Sequence, residues 1–406
     1  MRFLVILFLS GCCFIGQEEI DGYLRAGAAS ISITPPVGIP MGGYLHKDRR
    51  ALGIHDDLYA RCLILEPKSG KRLAIISIDL VGFLPYDLIQ IRKEAEEENI
   101  FICSTHNHSG PDSLGIFGVG RDENYMSEVR QKIVELLKAT AKNLEPVRLY
   151  FGKADSGEIS INWKSTELDR DINFLTAVGK MGTIATLVNF ACHPEALGKN
   201  NRLITADFPG YVVKEIEKRF GGVALYVNGA LGGMVSIHPE TFLAKEKGFE
   251  RAEEVGDLIA LRVKNKFSCQ RLITFNDFAI KKAVVAIPLQ NEFFQKAIAT
   301  KLIPTFSETY ANGIINTEVS VIRFADLVIL MVPGEITPGL AKKIKQMLRR
   351  GGRAEIMIFG LANDEIGYIL PTEDFDLPKY KQERAKSLGP ETGRRIYTAF
   401  QALVEP

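Results

Sequence analysis

The chain has 406 residues, 46% of them hydrophobic, which is enough to bury a sizeable core and excludes global disorder. Its 50 lysines and arginines stand against 49 aspartates and glutamates. With no basic surplus to neutralise a phosphate backbone, nucleic acid is not expected as a partner.

In chain order, Met1-Arg2 and the apolar run 3–9 come first, a stretch too brief to span a bilayer. Residues 1–22 read as an export signal, so the protein is expected in the cell envelope or secreted. Leu9-Ser10-Gly11-Cys12 resembles the bacterial lipobox, which predicts a membrane tether through a lipid on Cys12; an ordinary cleaved signal is the alternative. Residues 23–406 contain no repeat, low-complexity tract or long linker and are expected to form a single catalytic domain. Cys62, Cys103 and Cys192 lie in apolar runs and, with no CxxC spacing in the chain, predict buried free thiols rather than a disulfide framework.

Beyond the leader, apolar periodicity predicts a strand over 72–83, a helix over 86–97, a strand over 100–105 and a helix over 125–142. Strands follow at 172–178 and 184–193, a helix at 210–219, a strand at 223–228 and a helix at 249–266. The last elements are a strand over 319–332, a helix over 337–349, a strand over 353–361 and a helix over 391–404. Turn signals at 179–182 and 325–326 predict hairpins, so the class is α/β with a mixed β-sheet core, antiparallel hairpins and flanking helices, not a doubly wound parallel sheet.

Six histidines are present, and two lie in Thr105-His106-Asn107-His108-Ser109-Gly110-Pro111 at the end of an apolar strand. Residues two apart in an extended segment point the same way, so His106 and His108 can face one metal or one substrate. On spacing alone, two structural histidines at a loop remain the alternative. The metallo-β-lactamase pattern would continue with an Asp-His pair, and Ser109-Gly110-Pro111 follows instead. His193 ends another strand before Pro194 and can converge with His106; imidazole nitrogens with one or two oxygens suit a hydrolytic zinc. His46, His55 and His238 have no comparable placement and are expected to be structural or exposed.

The Thr-His-Asn-His-Ser-Gly-Pro stretch resembles the Thr-His-Thr-His-Ser-Gly-Pro block of neutral, non-lysosomal ceramidases. Further blocks agree in order: Ile33 to Gly38, Met41 to Tyr44, Ile78-Asp79, Asn189 to Pro194, Ala206 to Gly210, Asn228-Gly229-Ala230 and Val332 to Glu335. The resemblance spans about 27 to the mid-380s. It implies zinc held by His106, His193, Glu335 and Tyr368, with His108 beside it as a general acid/base or a donor to the tetrahedral oxyanion. Asp207 is expected to orient a ligand histidine or to cap a helix. The activity implied is hydrolysis of an amide bond in an N-acyl sphingoid or related lipid. A zinc hydrolase of another small-molecule amide or ester, in cell-wall or glycan turnover, and a ligand-binding lipoprotein without catalysis are the alternatives.

Three departures stand out. Gly232-Gly233-Met234-Val235-Ser236 replaces the family's Gly-Asp-Val-Ser-Pro, leaving Ser236 one residue out of register with the serine proposed there as nucleophile. Lys164, in Asn162-Trp163-Lys164-Ser165, stands near the place of a site-facing arginine and lacks its bidentate fork. No C-terminal immunoglobulin-like domain is expected after the last helix.

Overall fold

Apolar runs bounded by turn residues become strands, and the chain arranges them in three groups wired alike. In the computed structural model, which describes residues 24–244, 246–301, 309–349, 352 and 354–404, the first group begins with Leu24–Ser32, Tyr59–Pro67 and Leu73–Ile78 paired antiparallel in sequence. Helix Pro85–Ala95 then crosses over, and Ile100–Ser104 returns parallel to Leu73–Ile78 before helix Glu123–Lys142. The expected export leader, with Cys12, lies outside the described residues.

The second group repeats the plan. Arg148–Asp155, Asp171–Gly179 and Gly182–Phe190 are antiparallel, helix Asp207–Phe220 crosses over, Val223–Asn228 runs parallel to Gly182–Phe190, and helix Phe249–Phe267 follows. The third does so again with Ala279–Pro288, Ile314–Phe324 and Leu327–Met331, helix Pro338–Arg349, the parallel strand Glu355–Phe359 and helix Thr392–Val404. No sequence repeat signals this threefold wiring. Its physical sense is that a parallel neighbour needs a helical crossover, whereas antiparallel neighbours need only a turn.

The α/β class with mixed sheets and hairpins is as expected. Both hairpins form, Gly179 pairing with Gly182 and Phe324 with Leu327, so the run 319–332 is two strands rather than one. Periodicity missed Leu24–Ser32, built largely from alanine, glycine and serine, Ala279–Pro288, an edge strand whose exposed face carries little pattern, and also Tyr59–Pro67 and Arg148–Asp155. One hydrophobic cluster draws on all three sheets, through Leu63 and Phe101, Leu187 and Leu225, and Ile329 and Met357. The sheets therefore share one apolar core, and the Cys103–Ala362 bridge ties the first group directly to the third.

Cys62, Cys103 and Cys192 are buried free thiols and Cys269 is exposed and free. Among the described residues no helix is long and apolar enough to cross a membrane.

Candidate metal centre

The three groups each send one polar side chain from the end of a parallel strand to a common point, where strand polarity commonly places sites in α/β proteins. His106 lies two residues beyond the Ile100–Ser104 strand, His193 three beyond Gly182–Phe190, and Glu335 four beyond Leu327–Met331. Their ligand atoms all lie within 4.8 Å of one another, and all three residues are buried.

Both imidazoles are aimed by the backbone. His106 Nδ1 contacts the Val81 carbonyl at 2.7 Å and His193 Nδ1 the Val235 carbonyl at 2.8 Å. A carbonyl only accepts, so each Nδ1 carries the proton and the neutral ring has its lone pair at Nε2; the proton by which His193 Nε2 donates to Glu335 must leave before that nitrogen can bind a metal. Those Nε2 atoms face Glu335 Oε2 at 3.8 and 2.8 Å. Two oriented imidazole nitrogens and one carboxylate oxygen are a donor set that fits a metal ion, and second partners on the far ring nitrogens are what metal-ligating histidines use.

Tyr368 completes the ring of oxygen and nitrogen atoms. Glu335–Ile336 and Tyr368–Ile369 form a two-residue parallel ladder with Glu335 opposite Tyr368, so the pairing fixes both side chains at once. The Tyr368 hydroxyl lies 3.5 Å from His193 Nε2 and 3.6 Å from Met234 Sδ.

Burial dominates the electrostatics. It opposes ionisation of Glu335, but the charges of His106 and His193 and the hydrogen bond from His193 outweigh it and hold the carboxyl down at about 2. Burial likewise pushes His106 down to about 4 despite the attraction of Glu335. His193 moves up instead, because its hydrogen bond to Glu335 and the Glu335 charge exceed the burial penalty. Tyr368 is driven well above the ordinary phenol range by burial and by Glu335.

His108 sits beside the cluster, its ring centroid 4.8 Å from that of His106 and 5.9 Å from that of His193. Its buried Nδ1 has no hydrogen-bond partner among the described residues. Burial, then the neighbouring His106 and His193, push its basicity well down. Gly43 at φ 91° packs on the ring; a Cβ there would lie 2.6 Å from the His108 ring, so the opening Met41-Gly42-Gly43 turn needs glycine at that point.

Other candidates fall elsewhere. Asp207 does not reach a ligand imidazole; it accepts from the backbone amides of Phe208, Ala196 and Leu197, so it pins the loop after His193, while a carbonyl does the orienting. Burial raises its carboxyl to about 7. Lys164 is 3.6 Å from Glu383, and Ser236 Oγ donates to the Met234 carbonyl at 3.4 Å. His46 is exposed, His55 stacks on Phe249 at 3.7 Å between centroids, and the His238 ring accepts from the Glu240 amide.

A cavity of about 80 Å³ opens onto the cluster, lined by His106, His108, Glu335 and Tyr368 and also by Glu365 and Lys386, which the sequence reading did not single out. The polar run Asn363-Asp364-Glu365 after an apolar strand was the available signal for Glu365; Lys386 follows no strand and carried none. A larger surface cleft of about 620 Å³, lined by His55, Asp56, Arg61 and Lys214 among others, shares no residue with this cavity. It lacks the convergence of ligand atoms, so the smaller cavity is the candidate site.

The profile described as neutral/alkaline non-lysosomal ceramidase, N-terminal, matches residues 24–242, more than half of the chain. The neutral ceramidase of Drosophila pseudoobscura pseudoobscura is 25% identical over 252 residues, 54% of this chain and 35% of that protein. That of Pseudomonas aeruginosa is 23% identical over 273 residues, 57% of this chain and 40% of that protein. The chain thus matches between about a third and two fifths of the length of these relatives. In structure, crystalline neutral ceramidase from Pseudomonas aeruginosa superposes with a TM-score of 0.82 at 18% identity, covering 95% of this chain and 74% of that one. A ceramidase complexed with C2 gives a TM-score of 0.81 at the same identity, covering 95% and 75%. With the profile matched across the blocks that carry His106 and His193, the chain belongs to the neutral/alkaline non-lysosomal ceramidase family.

Proposed function

We propose that the protein is a zinc-dependent hydrolase of the amide bond in an N-acyl lipid, with zinc held by His106, His193, Glu335 and Tyr368. The observation that carries this reading is the convergence of His106 Nε2, His193 Nε2 and Glu335 Oε2 with both Nδ1 atoms committed to backbone carbonyls. Zinc in such a site supplies Lewis-acid polarisation of a carbonyl and makes water acidic near neutral pH.

The chain's own residues do the rest. Val81 and Val235 hold the imidazoles in the tautomer that binds through Nε2, and Glu335 stays ionised to offset the cation's charge. His108, kept neutral by burial, has Nδ1 free to hydrogen-bond the reacting group, which suits a donor to the developing oxyanion better than a standing imidazolium. Ser236 plays no part as nucleophile. Residues 23–406 act as one catalytic unit, and Leu9-Ser10-Gly11-Cys12 directs export with a lipid on Cys12.

Metal analysis of the purified protein is expected to give about one zinc per chain, and a chelator to abolish hydrolysis of N-acyl amides. His193→Ala should lose both metal and turnover while His55→Ala keeps them; equal losses would mean the centre lies elsewhere. For the leader, Cys12→Ser should move the protein from membrane to soluble fractions, and an unchanged distribution would refute the anchor.

A further inference from the structure

Val81 and Val235 aim the two ligand imidazoles, but no hydrogen bond from a described residue reaches Nδ1 of the third ring, that of His108. Its orientation comes from packing instead. Gly43 lies on one side, its backbone brought against the ring by the lack of a side chain. The Tyr44 ring meets it edge-on, with centroids 5.0 Å apart and planes at 83°. The backbone of His108 is held as well, its amide donating to the Pro194 carbonyl and its own carbonyl accepting from Arg49 at 2.9 Å.

Arg49 ties these pieces together. The residue is only 2% exposed, and its guanidinium donates to the carbonyls of Gly42, His108 and Asn201. It thereby joins the loop between the first two strands, the loop after Ile100–Ser104 and the loop after His193. The same guanidinium sits over the face of the Tyr44 ring, 5.0 Å from its centroid. Burying a cation among carbonyls is costly, and burial accordingly lowers the basicity of Arg49 to about 10. An apolar side chain would fill the space at lower cost, whereas a planar fork with several donors can hold three backbone segments in one arrangement.

We propose that Arg49 and Tyr44 are positioning residues for hydrolysis: Arg49 fixes the Gly42–Tyr44 turn and the His108 backbone, and the Tyr44 ring holds the His108 imidazole where it can donate to the oxyanion. This rests on the hydrolase reading above. Neither Arg49 nor Tyr44 lines the cavity that His106, His108, Glu335 and Tyr368 share, so both act through His108 rather than on substrate or metal. A catalytic group displaced by about 1 Å costs up to roughly a hundredfold in rate. Loosening the ring should therefore slow the chemical step and leave substrate binding and metal content as they were.

Steady-state kinetics of the full chain on a short-chain N-acylsphingosine test this. Tyr44→Leu should lower kcat about tenfold with KM and metal content unchanged, while Tyr44→Phe, which keeps the ring, should stay within about twofold of wild type. Arg49→Lys, whose ammonium cannot hold three carbonyls in one plane, should show the same loss as Tyr44→Leu; the half-buried Tyr44 keeps the proposal testable should the Arg49 variant not fold. In a His108→Ala background, itself slowed about a hundredfold, Tyr44→Leu should cost nothing further. A second loss of that size there, a change in KM or metal content in place of the kcat loss, or full activity in Tyr44→Leu overturns the proposal. Ring-nitrogen NMR of histidine-labelled protein keeps the test independent of turnover. Tyr44→Leu should displace the His108 signals, identified by their absence in His108→Ala, and leave those of His106 and His193 in place; unmoved His108 signals overturn the proposal. Displaced signals alongside a wild type that hydrolyses no N-acylsphingosine would instead sink the hydrolase reading and leave the seating of His108 by Tyr44 intact.

Discussion

His106 adopts φ 62°, a left-handed conformation that side-chain-bearing residues rarely hold. That turn is what swings its imidazole off the strand toward Glu335, so the simple same-face rule for His106 and His108 placed the pair correctly but not their aim. Ser236 shows the reverse case, a residue whose motif suggests chemistry and whose surroundings do not. Its hydroxyl is engaged by the Met234 carbonyl and by Glu195, and it is Met234 that touches Tyr368. A serine is a weak nucleophile without an activating base, and Glu195, whose carboxyl the charges of Lys247 and His193 hold below the usual range despite burial, is a poor one. Ser236→Ala should keep turnover within roughly tenfold of wild type, whereas removal of a true covalent nucleophile costs several orders of magnitude. An acyl group found on Ser236 by mass spectrometry would overturn this.

At the level of elements, helices were legible where capping and periodicity agree, as at Asp122, whose side chain accepts from the Tyr125 amide to start Glu123–Lys142. Helix Glu292–Ala299, only 8 residues long, was not, because so few turns carry little period. Loops after parallel strands hold the buried acids. Asp364, beyond Glu355–Phe359, accepts from the Thr317 hydroxyl at 2.7 Å and from the Glu365 amide at 2.8 Å, joining that loop to the Ile314–Phe324 strand. Burial outweighs these bonds and raises its carboxyl from 3.8 to about 7. The fold therefore favours the protonated form: the stabilisation is complete below the unfolded value and is lost as pH rises through the folded one. Between pH 4 and 7 Asp364 should make unfolding easier with rising pH, by at most about 1.4 kcal/mol per unit. Asp364→Asn can keep both hydrogen bonds without titrating. Urea unfolding across that range should show a shallower pH slope for the variant, and identical slopes would count against a raised Asp364.

For the whole molecule, buried asparagines stitch the three groups together. Asn189 donates to the Ile358 carbonyl, Asn363 accepts from the Ile102 amide, and Asn228 donates to the Thr105 carbonyl while its own carbonyl accepts from Gly360. Each bond crosses between sheets, and Thr105 immediately precedes His106. Asn228→Ala leaves buried polar groups unpaired, which costs about 1–3 kcal/mol. On the metal-site proposal it should also weaken metal retention, because the strand end that carries His106 loses its tie to the second group. Chemical denaturation and metal competition against a chelator read the two effects. A variant as stable and as metal-retentive as wild type would mean that the sheets are held by apolar packing alone.

Strand ends, hairpins and the histidine pair were readable from the chain because they depend on neighbours in sequence: period, turn chemistry and the spacing of like side chains. Through the family resemblance the same blocks also pointed to Glu335 and Tyr368, although neither has local features that set it apart. What only the tertiary structure decided is what lies between distant segments. The threefold wiring, the carbonyls of Val81 and Val235 that aim the imidazoles and the Glu335–Tyr368 ladder all join residues far apart in the chain. Backbone carbonyls are the same at every position, so their roles arise from where the fold brings them and leave no mark in the sequence.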